Sequence, residues 1–321
     1  MLKRLLFLIF ICCLNFSISA QKVLDANDNV KEMDKKDAKD GWTKAGGIGL
    51  NLNFLNLINP RVGAGDNQVG VGGILNYASN LKRGKLLWDN KFLVQLATVK
   101  AAGDAWTKAT DVVQATTQIG HQISADGKWY IAGLGDLQTQ LLTTYGTNFL
   151  SDQSTATKKT PLSGKLFAPA ILKLAPGIIY KPTADLKILY SPFAYKGIYV
   201  ANDVIARQGT FIPIINVKYK KVDHQIGSEL RFDYSKKFLN DKVIYVSTLD
   251  FYSNYLRAPQ NIDVEFYNSL DFMVGKNLSV NFRTDWFYDH DIQVFKGGKE
   301  ADKGRAAFGR NALLIKYNTI F

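Results

Sequence analysis

From Ile262 the chain alternates. Ile262, Val264, Phe266, Asn268, Leu270, Phe272 and Val274 form one set, apolar except for the asparagine. Asp263, Glu265, Tyr267, Ser269, Asp271 and Met273 form the other. A period of two places the two sets on opposite faces of a strand. Gly275-Lys276-Asn277 then reads as a tight turn, with Gly and Asn supplying the positive φ of short hairpins. The alternation resumes with Leu278, Val280, Phe282, Thr284, Trp286 and Tyr288 against Ser279, Asn281, Arg283 and Asp285. Carboxylates and an arginine recurring on the inner face of long strands do not suit a packed soluble core. They suit a membrane barrel, apolar outside and polar inside.

The same test from residue 42 onward gives twelve strands. Nine precede the pair just described, at about 44–57, 68–80, 85–98, 108–123, 128–141, 166–180, 186–200, 223–236 and 242–255, and the last is 306–321. Ile48, Leu50, Leu52 and Phe54 on the first strand, and Trp88, Phe92 and Val94 on the third, are expected to face lipid. Asn51, Asp89, Lys91, Gln95, Gln114, Gln118 and Gln138 are expected to face inward. Pro176 and Pro192 lie inside strands where a ladder lacks an amide donor, so bulges are expected at both. Short turns follow every even strand. Longer or more polar links follow the odd ones, with 142–165 and 201–222 read as long loops. This is the arrangement of an all-β, antiparallel transmembrane β-barrel of about twelve strands, with short periplasmic turns, longer external loops and both termini in the periplasm. A soluble two-sheet sandwich needs apolar inner faces, and the charged ones of strands eight to eleven disfavour it. Tyr77, Trp88, Trp129, Tyr180, Tyr234 and Tyr317 fall at the periplasmic rim, and Tyr252, Tyr255, Trp286 and Tyr288 at the outer rim.

Composition agrees once the alternation is seen. The 321 residues are 46% hydrophobic, yet mean hydropathy is −0.09, because inward and outward positions cancel. After residue 20 no window holds the ~18 unbroken apolar residues of a membrane helix. Residues 1–20 read as a secretory signal: Lys3 and Arg4, the apolar Leu5 to Leu14, then Ser17-Ile18-Ser19-Ala20, with cleavage near Ala20. Both cysteines, Cys12 and Cys13, belong to that segment, so no disulfide or thiol chemistry is expected after cleavage. Residues 21–41 alternate Lys with Asp or Glu and read as a flexible periplasmic tail, too short to plug a barrel. Residues 42–321 form the barrel, placed in the outer membrane of a Gram-negative envelope. The formal charge of +12 is carried by turns and loops, among them Lys82, Arg83, Lys236, Lys237, Lys296, Lys299 and Lys303. Such loops are expected to meet lipid phosphates or anionic solutes, or simply solvent, rather than nucleic acid.

Leu313, Ile315, Tyr317 and Phe321 share one face of the last strand, and Phe321 ends the chain. Tyr317 and Phe321 resemble the terminal signal by which the barrel-assembly machinery recognises outer-membrane barrels. Further resemblance lies in Trp42 with Gly46-Gly47, Trp88-Asp89-Asn90, Leu249 to Leu256, Asn261-Ile262-Asp263-Val264 and Phe287-Tyr288-Asp289-His290-Asp291. Together these resemble domain-of-unknown-function family 3078, secreted barrel-like proteins of Bacteroidota-type bacteria. Where that resemblance calls for Asn-Trp followed by Ala-Gly-Gly, the chain has Asn59-Pro60-Arg61-Val62-Gly63-Ala64-Gly65. The resemblance implies location and fold, and no activity.

Candidate chemistry is sparse. The three histidines, His121, His224 and His290, sit near strand ends or a loop junction. An outer-membrane phospholipase needs a serine within reach of such a base, and none can be placed beside His121. No metal-ligand spacing, cofactor motif or catalytic set is expected. The lumen remains, with Glu229, Arg231, Asp263, Glu265, Asp271, Arg283, Asp285 and Arg310 as its lining candidates. One reading is a narrow, porin-like passive channel for small polar solutes. The alternative is a plugged structural barrel, a scaffold or partner in an envelope complex. On either reading arginine is expected to be tolerated at Asp271, in the lumen, and not at Leu270, in lipid.

Overall fold

The computed structural model describes residues 40–58, 68–100, 106–146, 148–149, 159–212, 214, 218–275, 277–290, 294–295 and 303–320. Residues 1–39, expected to be a leader and most of a tail, together with Asn59 to Gly65, Lys296, Lys299 and Phe321, lie outside the described residues. Twelve long strands follow in chain order. They are β1 (Gly41–Ile58), β2 (Gln68–Arg83), β3 (Leu86–Lys100), β4 (Thr107–Gln122), β5 (Trp129–Thr139) and β6 (Ala170–Tyr180). Then come β7 (Leu186–Tyr199), β8 (Val222–Phe238), β9 (Val243–Asn254), β10 (Ile262–Met273), β11 (Leu278–Tyr288) and β12 (Phe308–Ile320). Each pairs antiparallel with its chain neighbour, and β12 returns to β1, closing the barrel. Closure removes the unpaired edge that hydrocarbon does not tolerate. The strands run 11 to 18 residues, against the ~9–11 that span a bilayer at a 45° tilt, so their ends stand clear of it.

Alternation explains which side faces out. On β1, Leu50 is 62% exposed while its neighbour Asn51 is 7% exposed and turned inward. Rings gather at the periplasmic end, with Trp129 stacked on Tyr180 at 4.3 Å and Trp42 tilted against Trp88 at 5.7 Å. Tyr252 is a correction to the expected outer girdle. It shares parity with Asp250, is buried, and faces the lumen between Glu229 and Asp263.

Of the two expected bulges one is present. On β7, Pro192 and Phe193 together face Ser228 alone, between Ser191↔Glu229 and Ala194↔Gly227. Pro176 keeps β6 in unbroken register with β5, opposite Gly133. The interrupted ladder is closed by side chains. Ser191 Oγ donates to the Pro176 carbonyl at 2.7 Å, and Tyr255 OH donates to that of Pro192 at 3.0 Å. β6 also starts later than expected. Residues 165–168 form a turn instead, with Phe167 at φ 57° and its N–H held by Thr139 Oγ1 at 2.9 Å.

Two further expectations change at the ends of the barrel. The external links 142–165 and 201–222 are not simply polar loops. Short ladders join Thr144–Tyr145 to Asn148–Phe149 and to Leu162–Gly164. A four-residue helix, α1 (Asp203–Ala206), is capped by the Asn202 side chain. Ala168, Val200, Ile205, Ala206 and Ile212 pack between these links with Leu162, Phe211 and Tyr219. In the short turns, positive φ falls at Gly84, Gly127 and Leu239-Asn240-Asp241, and Gly275 is not among such residues, while Lys276 of that turn lies outside the described residues.

Candidate functional site

The inner wall is built from cross-strand rows. One runs Lys91, Thr116, Asp136, Lys173, Lys196 across β3 to β7. A second runs Arg231, Asp250, Glu265, Phe287, Phe308 across β8 to β12. A third runs Lys187, Asp233, Thr248, Tyr267, Asp285, Arg310 across β7 to β12. Directly opposed side chains lie about 4.5–5.5 Å apart at Cβ, so opposite charges in a row meet without reaching across the bore.

On β10 to β12 the charges around Asp285 and Asp271 are closed off. Asp285 accepts from Arg283 Nε at 2.8 Å and from Arg310 Nε at 2.6 Å. The side chains of Asp285 and Arg283 are 0% and 2% exposed. The Arg283 guanidinium lies 5.6 Å over Tyr267 and that of Arg310 5.7 Å over Phe287. Tyr267 OH donates to Glu265 at 2.7 Å. Asp271 accepts from Lys316 Nζ at 3.2 Å and from Asn281 Nδ2 at 2.9 Å. An arginine at 271 would therefore meet Lys316 in a buried site. The tolerance expected there is withdrawn, because a buried like-charge pair has no water to screen it.

On β4 to β9 a strip of the wall stays accessible beside sealed residues such as Glu229 and Asp250. Lys187 Nζ lies 3.1 Å from Asp233 and 3.3 Å from Gln118 Oε1 on β4. Asp233 also accepts from Arg231 Nε and Thr248 Oγ1, both at 2.9 Å. Lys187, Arg231 and Asp233 keep 30%, 24% and 20% of their side chains accessible. Lys173 on β6 lies 3.4 Å from Asp250 on β9, with the small inward Ala194 and Gly227 on the strands between. Asp136 accepts from Gln114 at 2.7 Å and Thr116 at 2.6 Å. Apolar clusters fill other parts of the bore. Tyr130, Ala132, Ile179 and Leu189 pack with Leu87 towards the periplasmic mouth, and Ile74, Leu93 and Val112 pack on β2 to β4.

All eight residues singled out from the sequence lie on inward faces. Asp285 gathers Arg283 and Arg310, Glu265 joins Tyr267, and Asp271 joins Lys316. Arg231 pairs with Asp233, while Glu229 and Asp263 flank Tyr252. Lys173, Lys196 and Tyr252 escaped the reading. Lys173 is the single polar residue among the inward Ile171, Ala175, Gly177 and Ile179, and Lys196 faces inward only because the β7 bulge shifts parity. Tyr317 is exposed on the outer face. The histidines meet tyrosines: His224 Nδ1 lies 2.8 Å from Tyr195 OH, and His290 Nδ1 3.5 Å from Tyr288 OH. His121 sits on the outward face between Leu86 and Ile131. Among the described residues no group of three or more His, Cys, Asp or Glu is placed to hold a metal.

A closed antiparallel sheet, apolar outside and charged inside, defines a transmembrane β-barrel. Within it, residues 56–145 match the family model described as Protein of unknown function (DUF3078), the family that the strand motifs resemble. Similar solved structures include the COG4313 outer membrane channel from Pseudomonas putida F1. It is 10% identical, with 93% of this chain and 100% of that one covered and a TM-score of 0.46. The translocator domain of autotransporter NalP from Neisseria meningitidis is 8% identical, with 88% and 90% covered and a TM-score of 0.39. The NanC porin is 9% identical, with 84% and 98% covered and a TM-score of 0.40. No curated protein matches the chain. The class rests on the strand pairing itself.

Proposed function

We propose that the protein is an outer-membrane barrel that passes small polar solutes passively through a narrow wet strip of its lumen. Gln118, Lys173, Lys187, Arg231 and Asp233 bound that strip. The observation that carries this reading is the contrast between accessible and sealed charges in one bore. The Lys187 side chain is 30% exposed, where that of Asp285, towards the other end of the same third row, is 0% exposed. Charges that stay hydrated inside a barrel offer a solute polar partners in place of its lost water. No catalytic step is part of the reading. Delivery to the outer membrane after cleavage near Ala20, and insertion by the assembly machinery through Tyr317 and Phe321, belong to it.

A scaffold barrel is the second reading, and the closed β10–β12 wall with the apolar clusters favours it. Single-channel recording of the folded barrel in planar bilayers separates the two. The channel reading predicts discrete steps that grow when Lys187 and Arg231 are both replaced by Ser, and that keep their size in a folded Arg283→Ser variant. Folded protein without steps in either form favours the scaffold.

A further inference from the structure

On the lipid side of β9 to β12 the outward positions include a run of polar side chains. Ser247 on β9 faces Asn268 on β10, Asn268 faces Thr284 on β11, and Thr284 faces Asn311 on β12. The four form one contiguous row. Along its own strand each is flanked on the same face by lipid-side residues. Asn268 lies between Phe266 and Leu270, Ser247 between Tyr245 and Leu249, Thr284 between Phe282 and Trp286, and Asn311 between Gly309 and Leu313. No charged residue occupies an outward position on these four strands.

The row is only half satisfied. Asn268 Oδ1 accepts from Tyr245 OH at 2.8 Å and Ser247 Oγ at 3.0 Å, which uses its carbonyl end. Among the described residues no hydrogen bond uses the Asn268 amide nitrogen, the Thr284 hydroxyl or the Asn311 amide. A second polar set on the lipid face behaves differently. Trp88 Nε1 donates to Thr117 Oγ1 at 2.8 Å, Thr117 donates to Asn90 Oδ1 at 2.8 Å, and Asn90 Nδ2 donates to the Ser79 carbonyl at 3.1 Å. That set closes on itself, whereas the β9–β12 row points unmet donors and acceptors at hydrocarbon, which cannot answer them.

We infer that the row is the contact surface for a second copy of this chain. Copies in one membrane share an orientation, so a two-fold axis along the barrel brings the same four strands face to face. Amides and hydroxyls both donate and accept, so such a row complements itself and carries no charge that calls for a different partner. Hydrogen bonds between polar side chains are a recognised glue between spans in lipid. The inference rests on the barrel lying in a membrane and is independent of whether its lumen conducts.

The test is the mass of the folded full chain in detergent micelles, by light scattering and native mass spectrometry across a concentration series. The wild type is expected to be a dimer. Combining Asn268→Leu, Thr284→Val and Asn311→Leu should raise its dissociation constant at least tenfold with heat-modifiable mobility kept, and Asn90→Leu should leave it unchanged. Should the triple variant misfold, Thr284→Cys alone serves, since oxidation should link it to a second copy while Thr117→Cys stays unlinked. A wild type monomeric at every concentration would overturn the inference. So would a folded triple variant with an unchanged constant, or a Thr284→Cys chain that links to a different protein.

Discussion

Asp285 sits between two guanidinium groups, accepting from Arg283 at 2.8 Å and Arg310 at 2.6 Å while closed to solvent. A buried acid so placed adds little net stability, but its loss leaves two arginines without their counter-charge. Asp285→Ala is expected to cost about 3–5 kcal/mol, read as the urea midpoint of the folded, heat-modifiable band. Adding Arg283→Met and Arg310→Met should recover most of it, and a triple variant no better than the single would contradict the pairing. At the β4–β5 turn, electrostatics act in water. The Ser124 hydroxyl at 2.6 Å, and then the Lys128 amide at 3.1 Å, hold the Asp126 carboxyl below its usual range. A depressed folded pKa stabilises above the ordinary carboxylate value, and that contribution is lost as pH falls through the lowered one. Ser124→Ala should return Asp126 toward the ordinary value in a carbon-13 carboxyl titration. An unchanged midpoint would show that the hydroxyl is not the cause.

Strands were legible where their period was clean. β10 and β11 alternate without interruption, so both faces can be assigned from the residue list alone. Leu270 lies in the outward set of β10, near mid-strand, and Leu270→Arg should cost about 2–4 kcal/mol at the bilayer midplane. Normal yields of folded barrel from that variant would mean the register is off by one residue, since a slip of one exchanges the faces. Legibility failed where backbone geometry breaks the period. The Pro192-Phe193 bulge turns odd inward positions such as Lys187 and Leu189 into even ones, Ala194 and Lys196, and the proline that signals it is matched at Pro176, where the register does not shift. Tyr252 misled for another reason. An aromatic at the outer end of a strand reads as a girdle residue, yet its parity with Asp250 sends it inward. The external links hid a packed core because its members, Ala168, Val200, Ile205, Ala206 and Ile212, come from two segments and follow no period in either.

At the scale of the molecule, twelve strands close a sheet whose lipid side was read from apolar alternation and whose lumen was read from recurring charge. Which inward charges stay wet was not legible, because it depends on neighbours several strands away. Lys187 reaches Gln118 on β4, whereas Arg283 is sealed beneath the Tyr267 ring. The barrel divides into a lipid face, sealed charge clusters and a wet strip. Single cysteines test it cleanly, since the described residues contain none. The measurement is the rate at which a membrane-impermeant thiol reagent labels cysteine in the folded, reconstituted barrel at Gln118 and Lys187, at Ser269 and Ser279, and at Leu270 and Phe282. Labelling is expected to be fast at Gln118→Cys and Lys187→Cys, with little or none at the other four. Labelling of Ser279→Cys as fast as Lys187→Cys, or of Leu270→Cys from water, would contradict it.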